Sequence, residues 1–297
     1  MAKNLTSYFL LLHFTVFLFG FTGILGRLIS LSGDILVWYR TAFAMITLWI
    51  ILLIRKTSFR LPLQQILQLV GIGVIVGAHW VTFFHAIKIS NVSIALSCLA
   101  VTTLFVSIIE PLFFNRRIDK VDVLGGFGIL LGLLLITNVQ FNYWQGIVTG
   151  LISAMLSGLF TIMNRKMASH HDGFVISTYE MLGANLSTAI FILCTQPNLF
   201  QIELSLSDIS YLLILGTICT AFAYWAIVHV LKRISAYAVV MSINLEPIYG
   251  TVLAALIFSE YEELNPGFYA GSAIILISVF VYSRYKLNLT HATESKK

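Results

Sequence analysis

The chain is a succession of apolar stretches separated by short polar gaps. About 20 apolar residues in a helix cross roughly 30 Å of hydrocarbon, and ten stretches are close to that length. They run over residues 8–26, 35–54, 63–87, 90–109, 123–142, 143–164, 173–195, 209–231, 236–259 and 266–283. The pattern therefore predicts an all-α polytopic membrane protein with ten transmembrane helices.

Lysine and arginine collect in every second gap between these stretches. If the N-terminus is placed in the cytoplasm, all but three of the 18 basic residues fall on the cytoplasmic side. The exceptions are Arg27 and Lys88 on the outer side and Arg40 within a stretch. Basic residues are enriched in the cytoplasmic loops of membrane proteins, so we expect both termini in the cytoplasm.

Composition narrows the class further. Hydrophobic residues make up 58% of the chain and charged residues 10%, which excludes an ordinary soluble domain. The net charge of +5 fits the cytoplasmic loops facing anionic lipid headgroups, so we expect membrane lipids and not nucleic acid as partners. Cys98, Cys194 and Cys219 lie within apolar stretches and are expected to be small buried residues. Nucleotide-binding and metal-site motifs are absent, so no cofactor, no metal and no ATP-driven pump are expected.

The two halves of the sequence resemble each other. A shift of 145 residues aligns residues 69–135 with the second half without a gap and places Trp80 on Trp225. A shift of 138 residues places Arg27 on Arg165. Because five helices per copy is an odd number, the second copy must enter the membrane inverted. The sequence therefore predicts two inverted five-helix repeats, at residues 1–142 and 143–297.

An inverted repeat gives two similar packings that open to opposite sides of the membrane. Secondary transporters use this arrangement to alternate access around a site at the midplane. We therefore expect a transporter of a small molecule, with helices 1, 3, 4, 6, 8 and 9 around a cavity and helices 5 and 10 peripheral. A polytopic membrane enzyme or accessory protein acting on a lipid-linked substrate is the alternative. Such a protein would usually cluster its polar residues at one membrane face, whereas here they lie at mid-depth.

Residues 236–247 read AYAVVMSINLEP and lead to Glu260 at the end of the same stretch. With ten helices in two repeats, this segment resembles the EamA-type transporters of the drug/metabolite transporter superfamily. In that family the fourth helix of each repeat tends to carry a mid-helix proline and a terminal glutamate, as Pro247 and Glu260 do here. The first copy departs from the pattern, with Thr102 and Asn115 at the aligned positions.

This resemblance implies a protein of the bacterial cytoplasmic membrane that carries small metabolites such as amino acids. Export is the expected direction, and export of aromatic amino acids is one specialisation of the family. Gly128 and Gly132 form a small-residue strip in helix 5 of the kind that meets a neighbouring helix or a second protomer. Monomer and homodimer therefore both stay open.

Charged groups inside spans are costly, at roughly 2.5–3.5 kcal/mol on insertion scales, and so call for a reason. Glu246 lies near the middle of helix 9, where Pro247 deprives a backbone carbonyl one turn back of its hydrogen bond. We predict that Glu246 binds a substrate amine or the driving proton. Arg40 in helix 2 is the deep cation that could pair with it or contribute to gating.

Two further glutamates have simpler interpretations at this stage. Glu110 lies about one turn from the cytoplasmic end of helix 4, where it can extend to the membrane surface. Glu180 lies near the inner face and is expected to pair with Arg165 and Lys166.

The third helix of each copy carries an aromatic and imidazole pair near mid-span. His79 and Trp80 align with Tyr224 and Trp225. Ordinary helix packing would explain these residues, but so would a cavity wall that stacks on a solute and offers hydrogen bonds to it. We predict that all four face one cavity, with Asn244 as a further polar contact and His79 as a second group that could couple transport to protons.

Overall fold

The computed structural model describes residues 2–90, 92–137, 143–195, 204–258 and 266–294. Regular structure in these ranges is helical throughout. The helices are α1 (Ala2–Leu28), α2 (Gly33–Ile54), α3 (Leu63–Ile89), α4 (Val92–Phe113), α5 (Lys120–Thr137), α6 (Trp144–Ala168), α7 (Gly173–Thr195), α8 (Leu206–Gly216), α9 (Ala223–Val230), α10 (Ala236–Ile243), α11 (Glu246–Phe258) and α12 (Pro266–Glu294). A π-helical turn, Thr217–Phe222, joins α8 to α9.

The bundle has the length and surface of a membrane-spanning protein. Seven helical stretches in the described ranges are long and apolar enough to cross a bilayer, and two shorter apolar stretches cover Cys98–Phe113 and Pro266–Tyr282. Large apolar side chains, such as those of Leu10, Ile54 and Leu206, are exposed on the outside of the bundle, where lipid replaces water. An all-helical membrane fold is confirmed, while the exact number of ten spans stays a prediction.

Packing between the two halves is reciprocal. α6 packs against α3 and α4, and α1 correspondingly packs against α9 and α11. α2 packs against α7, and α5 packs against α12. Each contact therefore has a counterpart when residues of the first half are exchanged for those of the second, as two repeats require. The predicted boundary between residues 142 and 143 adjoins a segment outside the described residues and stays a prediction.

Small residues allow close approach at two of these interfaces. A Cβ atom added to Gly73 of α3 would collide with the carbonyl oxygen of Glu180 in α7. In α5, Cβ atoms on Gly128 and Gly132 would collide with Ser278 and Ile275 of α12. The α5 strip is therefore filled by a helix of the same chain, which removes the reason for placing a second protomer there.

The second half contains two interruptions that the hydropathy pattern does not reveal. The predicted span 209–231 contains the π-helical turn, in which the Thr220 hydroxyl donates to the Leu215 carbonyl oxygen at 2.7 Å. The predicted span 236–259 breaks at residues 244–245, between α10 and α11. Pro247 follows this break and has no N–H to offer the carbonyl of Ile243. In the first half, α3 runs without interruption.

The burial of the three cysteines agrees only in part with the prediction. Cys98 and Cys219 are buried as predicted, whereas Cys194 is exposed. Cys194 is the penultimate residue of α7, where the bundle no longer covers it.

Candidate functional site

A cavity of about 140 Å³ lies between the helices of the two halves. Its described lining comes from α1, α3, α4, α6, α9 and α10, with the π-helical turn and the first residue of α11. None of these described lining residues belongs to α5 or α12, which is consistent with the predicted peripheral position of these two helices. The lining also includes Arg40, so α2 is an unpredicted contributor to the wall.

Six of the seven predicted site residues meet at this cavity. They are Arg40, His79, Trp80, Tyr224, Asn244 and Glu246. Trp225 does not line it: its ring stacks on Phe174 with centroids 4.6 Å apart. Because a π-helical turn inserts a residue, it rotates the following helix by about 100° relative to the pattern of α3. This rotation explains why Trp225 does not occupy the position that Trp80 has in the first copy.

Arg40 is held in place by two contacts on the cavity wall. Its guanidinium carbon lies 4.6 Å from the centre of the Trp80 ring, a cation–π distance. Its Nε donates a hydrogen bond to the Thr220 hydroxyl at 3.1 Å. The π-helical turn therefore orients Arg40, whose two Nη groups form no hydrogen bond with the described residues.

Glu246 supplies a negative charge to the same cavity, opposite in sign to that of Arg40. It is the first residue of α11, where the helix dipole favours a negative group. Among the described residues it forms no hydrogen bond and no ion pair, although it lies within electrostatic range of Arg40. The two charges therefore face one space without neutralising each other by direct contact.

Asn244 fixes the helix break beside Glu246. Its Nδ2 donates to the Thr103 hydroxyl of α4 at 2.7 Å and to the Val240 carbonyl oxygen at 2.9 Å. The break is therefore tied to the first half of the molecule. The backbone of Pro247 lies in the first turn of α11. Glu260, the other residue of the family pattern, lies outside the described residues.

His79 joins α3 to α6. Its Nδ1 lies 3.0 Å from the Ser153 carbonyl oxygen, and the Ser153 hydroxyl donates to the His79 carbonyl oxygen at 3.0 Å. The Ser153 hydroxyl also lies 2.9 Å from Nδ1. Ser153 thus occupies Nδ1, and Nε2 forms no hydrogen bond within the described residues. The ring lies beside Phe160, with centroids 5.5 Å apart.

Aromatic rings complete the wall. The Tyr224 ring meets the Trp80 ring edge-on with centroids 6.2 Å apart and lies 6.4 Å from the Phe160 ring. Phe160 was not singled out in the sequence, because nothing distinguishes it there from other apolar residues. These rings form the apolar part of the cavity wall.

The predicted partners of Glu180 are wrong. Glu180 is fully buried, and its Oε2 accepts hydrogen bonds from the Tyr224 hydroxyl at 2.5 Å and from Asn164 Nδ2 at 2.9 Å. Asn164 Nδ2 also lies 3.0 Å from the Tyr224 hydroxyl. Sequence position gave the depth of Glu180 but not its side of α7, which faces α6 and α9 in the interior.

The predicted role of Glu110 is also wrong. Glu110 is only 4% exposed, and its carboxylate accepts hydrogen bonds from the backbone N–H groups of Ala236 at 3.1 Å and Tyr237 at 2.8 Å. Arg165 donates to the same carboxylate, and Arg116 lies 3.7 Å away. Glu110 therefore caps the start of α10. We call Glu110, Arg165 and the start of α10 the Glu110 clasp. It also places Arg116 and Arg165 at the same end of the bundle, as predicted.

Known proteins resemble this chain over most of its length. The model of the EamA-like transporter family matches residues 6–138 and, separately, residues 144–284. An uncharacterized transporter of Clostridium kluyveri is 28% identical over 48% of this chain and 45% of its own length. An uncharacterized transporter of Archaeoglobus fulgidus is 19% identical over 63% of this chain and 66% of its own length. The chain thus spans less than two thirds of these two relatives.

A longer match is found with the pseudopaline exporter CntI of Pseudomonas aeruginosa. It is 24% identical and covers 86% of this chain and 88% of the exporter. One solved crystal structure superposes with a TM-score of 0.77 at 15% identity and covers 92% of this chain and 96% of its own. At that identity, the likeness shows the fold alone.

Proposed function

The chain belongs to the EamA-like transporter family, and from that premise we propose that it is a secondary transporter of small zwitterionic metabolites such as amino acids. Membership makes it an integral membrane protein of a transporter family and not an enzyme. The alternative of a membrane enzyme acting on a lipid-linked substrate is therefore set aside.

The observation that carries this proposal is the pair of opposite charges in one cavity. Arg40 and Glu246 both line it and form no direct ion pair with each other. An amino acid has a carboxylate, which an arginine can bind through two parallel hydrogen bonds, and an ammonium group, which a carboxylate can accept. A zwitterion would thus satisfy both charges at once.

The remaining wall favours an apolar or aromatic side chain on that zwitterion. The Trp80, Tyr224 and Phe160 rings offer stacking surface, and His79 Nε2 and the Asn244 amide offer polar contacts. The volume of about 140 Å³ is small beside cavities for drug-sized ligands, which are roughly 300–1,000 Å³. A small metabolite is the better match.

The reciprocal packing of the two halves supports alternating access as the mechanism. Glu246 is the proposed group for the substrate ammonium or a coupled proton. We propose export as the direction, by analogy with the Pseudomonas relative, which is named as an exporter. The proposed location is a bacterial cytoplasmic membrane with both termini in the cytoplasm. Monomer and homodimer both remain proposals for the working unit.

Transport in proteoliposomes tests the zwitterion directly. Exchange of a radiolabelled aromatic amino acid would be measured against unlabelled competitors: the same amino acid, its methyl ester, its N-acetyl derivative and the corresponding amine. We expect the parent compound to compete and the three derivatives, each lacking one charge, to compete at least tenfold less well, since a hydrogen bond to a charged group contributes about 1.5–3 kcal/mol.

A substitution of Arg40 tests whether this residue binds the carboxylate of the ligand. Arg40→Gln should remove the preference for the parent compound over its ester, because the carboxylate has lost its partner. Arg55→Gln is the matched control, since Arg55 lies at the end of the same helix against Phe174 and outside the cavity lining. Equal competition by parent and ester in the wild-type protein would contradict recognition of a zwitterion.

A further inference from the structure

A buried cluster behind the cavity wall is not used by the substrate site described above. Glu180 of α7, Asn164 of α6 and Tyr224 of α9 share hydrogen bonds, and of the three only Tyr224 lines the cavity. We propose that Glu180 is a proton-binding group of this chain, linked to the cavity through the Tyr224 hydroxyl. Its part in transport rests on the proposed function, but its binding of a proton does not.

The surroundings of Glu180 are neutral. Its two hydrogen-bond donors are a phenol and an amide, and its other oxygen, Oε1, is buried with no partner among the described residues. An ionised carboxylate removed from water is costly unless a cation or several donors compensate it. Here, one oxygen of a fully buried carboxyl group has neither.

Several charged and titratable groups on the helices packed against α7 are engaged with partners other than Glu180. From α2, Arg40 bonds to Thr220, and Arg55 lies over Phe174. From α3, His79 bonds to Ser153, and the glycine facing Glu180 brings only backbone. From α6, Arg165 bonds to Glu110, and Lys166 lies over Phe113. From α9, His229 stacks on Tyr8. Among the described residues, Tyr224 is thus the titratable group in contact with the Glu180 carboxyl.

The same cluster offers an acceptor for the proton. Asn164 Oδ1 is also buried and has no partner in the part of the chain that the structure describes. A proton on the Glu180 carboxyl supplies a donor to a cluster in which Asn164 Oδ1 still lacks one. Protonation therefore removes the uncompensated negative charge and adds a donor to the cluster.

Tyr224 connects this site to the cavity. Its hydroxyl donates to Glu180 Oε2, while the same side chain forms part of the cavity wall. When the Tyr224 oxygen accepts a proton from the cavity, its own phenolic proton can pass to Glu180 Oε2, so charge and protons balance. A ligand that takes the Tyr224 hydroxyl as its donor removes a bond from Glu180 and changes the affinity of Glu180 for a proton. Ligand and proton are then linked reciprocally.

Infrared difference spectroscopy in lipid bilayers tests the proton site without any substrate. The carbonyl stretch of a protonated carboxyl is resolved from that of a carboxylate, and spectra would be taken from acidic to alkaline pH. We expect a protonated-carboxyl band that is lost in Glu180→Gln, persists in Glu246→Gln and shifts in frequency in Tyr224→Phe, which removes one hydrogen bond but keeps the carboxyl. A band set that is identical in wild type and Glu180→Gln would overturn the proposal. If Glu180→Gln does not fold, the absence of any shift in Tyr224→Phe would overturn it instead.

A transport measurement then tests the linkage. Net accumulation driven by a pH gradient requires the coupled proton, whereas exchange of labelled for unlabelled substrate does not. We expect Glu180→Gln to lose the gradient-driven accumulation and to retain exchange. Equal loss of both activities would indicate a structural role and contradict the linkage. A Glu180-dependent infrared band in a protein that exchanges none of the amino acids tested would leave the proton site standing and reject the proposed function.

Discussion

At the scale of single residues, the two charged side chains of the cavity, Arg40 and Glu246, differ in how many contacts hold them. Arg40 is fixed by Trp80 and Thr220. Glu246 has no hydrogen-bond partner among the described residues and lies at the start of a helix. A fixed cation and an available carboxylate are what a reversible site needs, because a direct pair between them would compete with the ligand.

Glu246→Gln tests the role of the negative charge. Glutamine keeps the shape and the hydrogen-bonding capacity but cannot hold a charge or exchange a proton. We expect binding of the zwitterion to weaken about 10- to 100-fold, because charge-assisted hydrogen bonds contribute about 1.5–3 kcal/mol. The measurement is equilibrium binding and exchange in proteoliposomes, with Glu246→Asp as the charge-preserving control. Unchanged affinity and unchanged pH dependence in the glutamine variant would reject the role.

Trp80 and Trp225 form a matched pair for testing the cavity wall. Trp80 lines the cavity, whereas its repeat equivalent Trp225 packs on Phe174. Trp80→Ala should weaken binding of an aromatic substrate by about 1–3 kcal/mol, from the lost apolar contact. Trp225→Ala should lower thermal stability but leave the affinity nearly unchanged. A larger affinity loss in Trp225→Ala than in Trp80→Ala would contradict the placement of the cavity.

Sequence reasoning located single residues where depth alone decided the outcome. Arg40 and Glu246 stood out because charges are rare inside apolar stretches, and both line the cavity. His79, Trp80 and Tyr224 followed from the repeat. The prediction that Trp225 faces the cavity was wrong, because a π-helical turn changes the rotation of a helix without changing its hydropathy.

The partners of the buried glutamates were harder to predict than their depth in the membrane. The sequence placed Glu180 near Arg165, but their helices direct these side chains to different partners. Glu110 was assigned to the membrane surface because its backbone partners on α10 are 126 and 127 residues away in sequence. No local pattern predicts such a contact.

At the scale of secondary-structure elements, the two halves are joined by a close α3–α7 contact and by the Glu110 clasp. The first depends on glycine and the second on charge. Both interfaces connect helices of different repeats, so both must tolerate or guide any change between packings.

Gly73→Ala tests the close contact, and Gly71→Ala is its control on the same helix. A Cβ at position 73 collides with the Glu180 backbone, whereas a Cβ at position 71 has no neighbour within 4 Å. We expect Gly73→Ala to cost about 1–3 kcal/mol of stability through overpacking. Gly71→Ala should be neutral or stabilising by up to about 1 kcal/mol, as alanine favours helix. Thermal unfolding in one detergent compares them, and equal melting temperatures would argue against a tight α3–α7 interface.

Glu110→Ala tests the clasp. It leaves the Arg165 guanidinium and two backbone N–H groups without their acceptor, and breaking a buried ion pair from one side typically costs about 3–5 kcal/mol. Arg116→Ala removes a half-exposed partner of the same carboxylate at 3.7 Å and should cost less than about 1 kcal/mol. The expected outcome is a large loss of thermal stability in the first variant only. Similar losses in both would indicate a surface charge effect instead of a buried cap.

At the scale of the whole molecule, the arrangement of the helices was largely predictable. Apolar length, the charge distribution and the internal repeat gave an all-helical membrane fold, the peripheral position of α5 and α12, and the common end of Arg116 and Arg165. Pro247 indicated a lost backbone hydrogen bond in the stretch 236–259, but not that the helix would break at residues 244–245 into α10 and α11.

The inverted orientation of the repeats is testable with one pair of equivalent residues. Lys88 and Arg233 differ by the repeat shift of 145, and both are exposed in the structure. In a background without native cysteines, Lys88→Cys should react with a membrane-impermeant thiol reagent in intact cells. Arg233→Cys should react only after permeabilisation. Labelling of both from the same side would contradict an inverted topology.

The π-helical turn has a consequence for the energetics of transport. Two identical inverted copies would make the inward-open and outward-open states equal in free energy, by symmetry alone. Only the second copy has the turn between α8 and α9, so the two states of the proposed alternating-access cycle cannot be equivalent. Each difference of about 1.4 kcal/mol shifts their ratio tenfold. The protein should therefore rest with its cavity open to one preferred side of the membrane, even with no gradient and no substrate present.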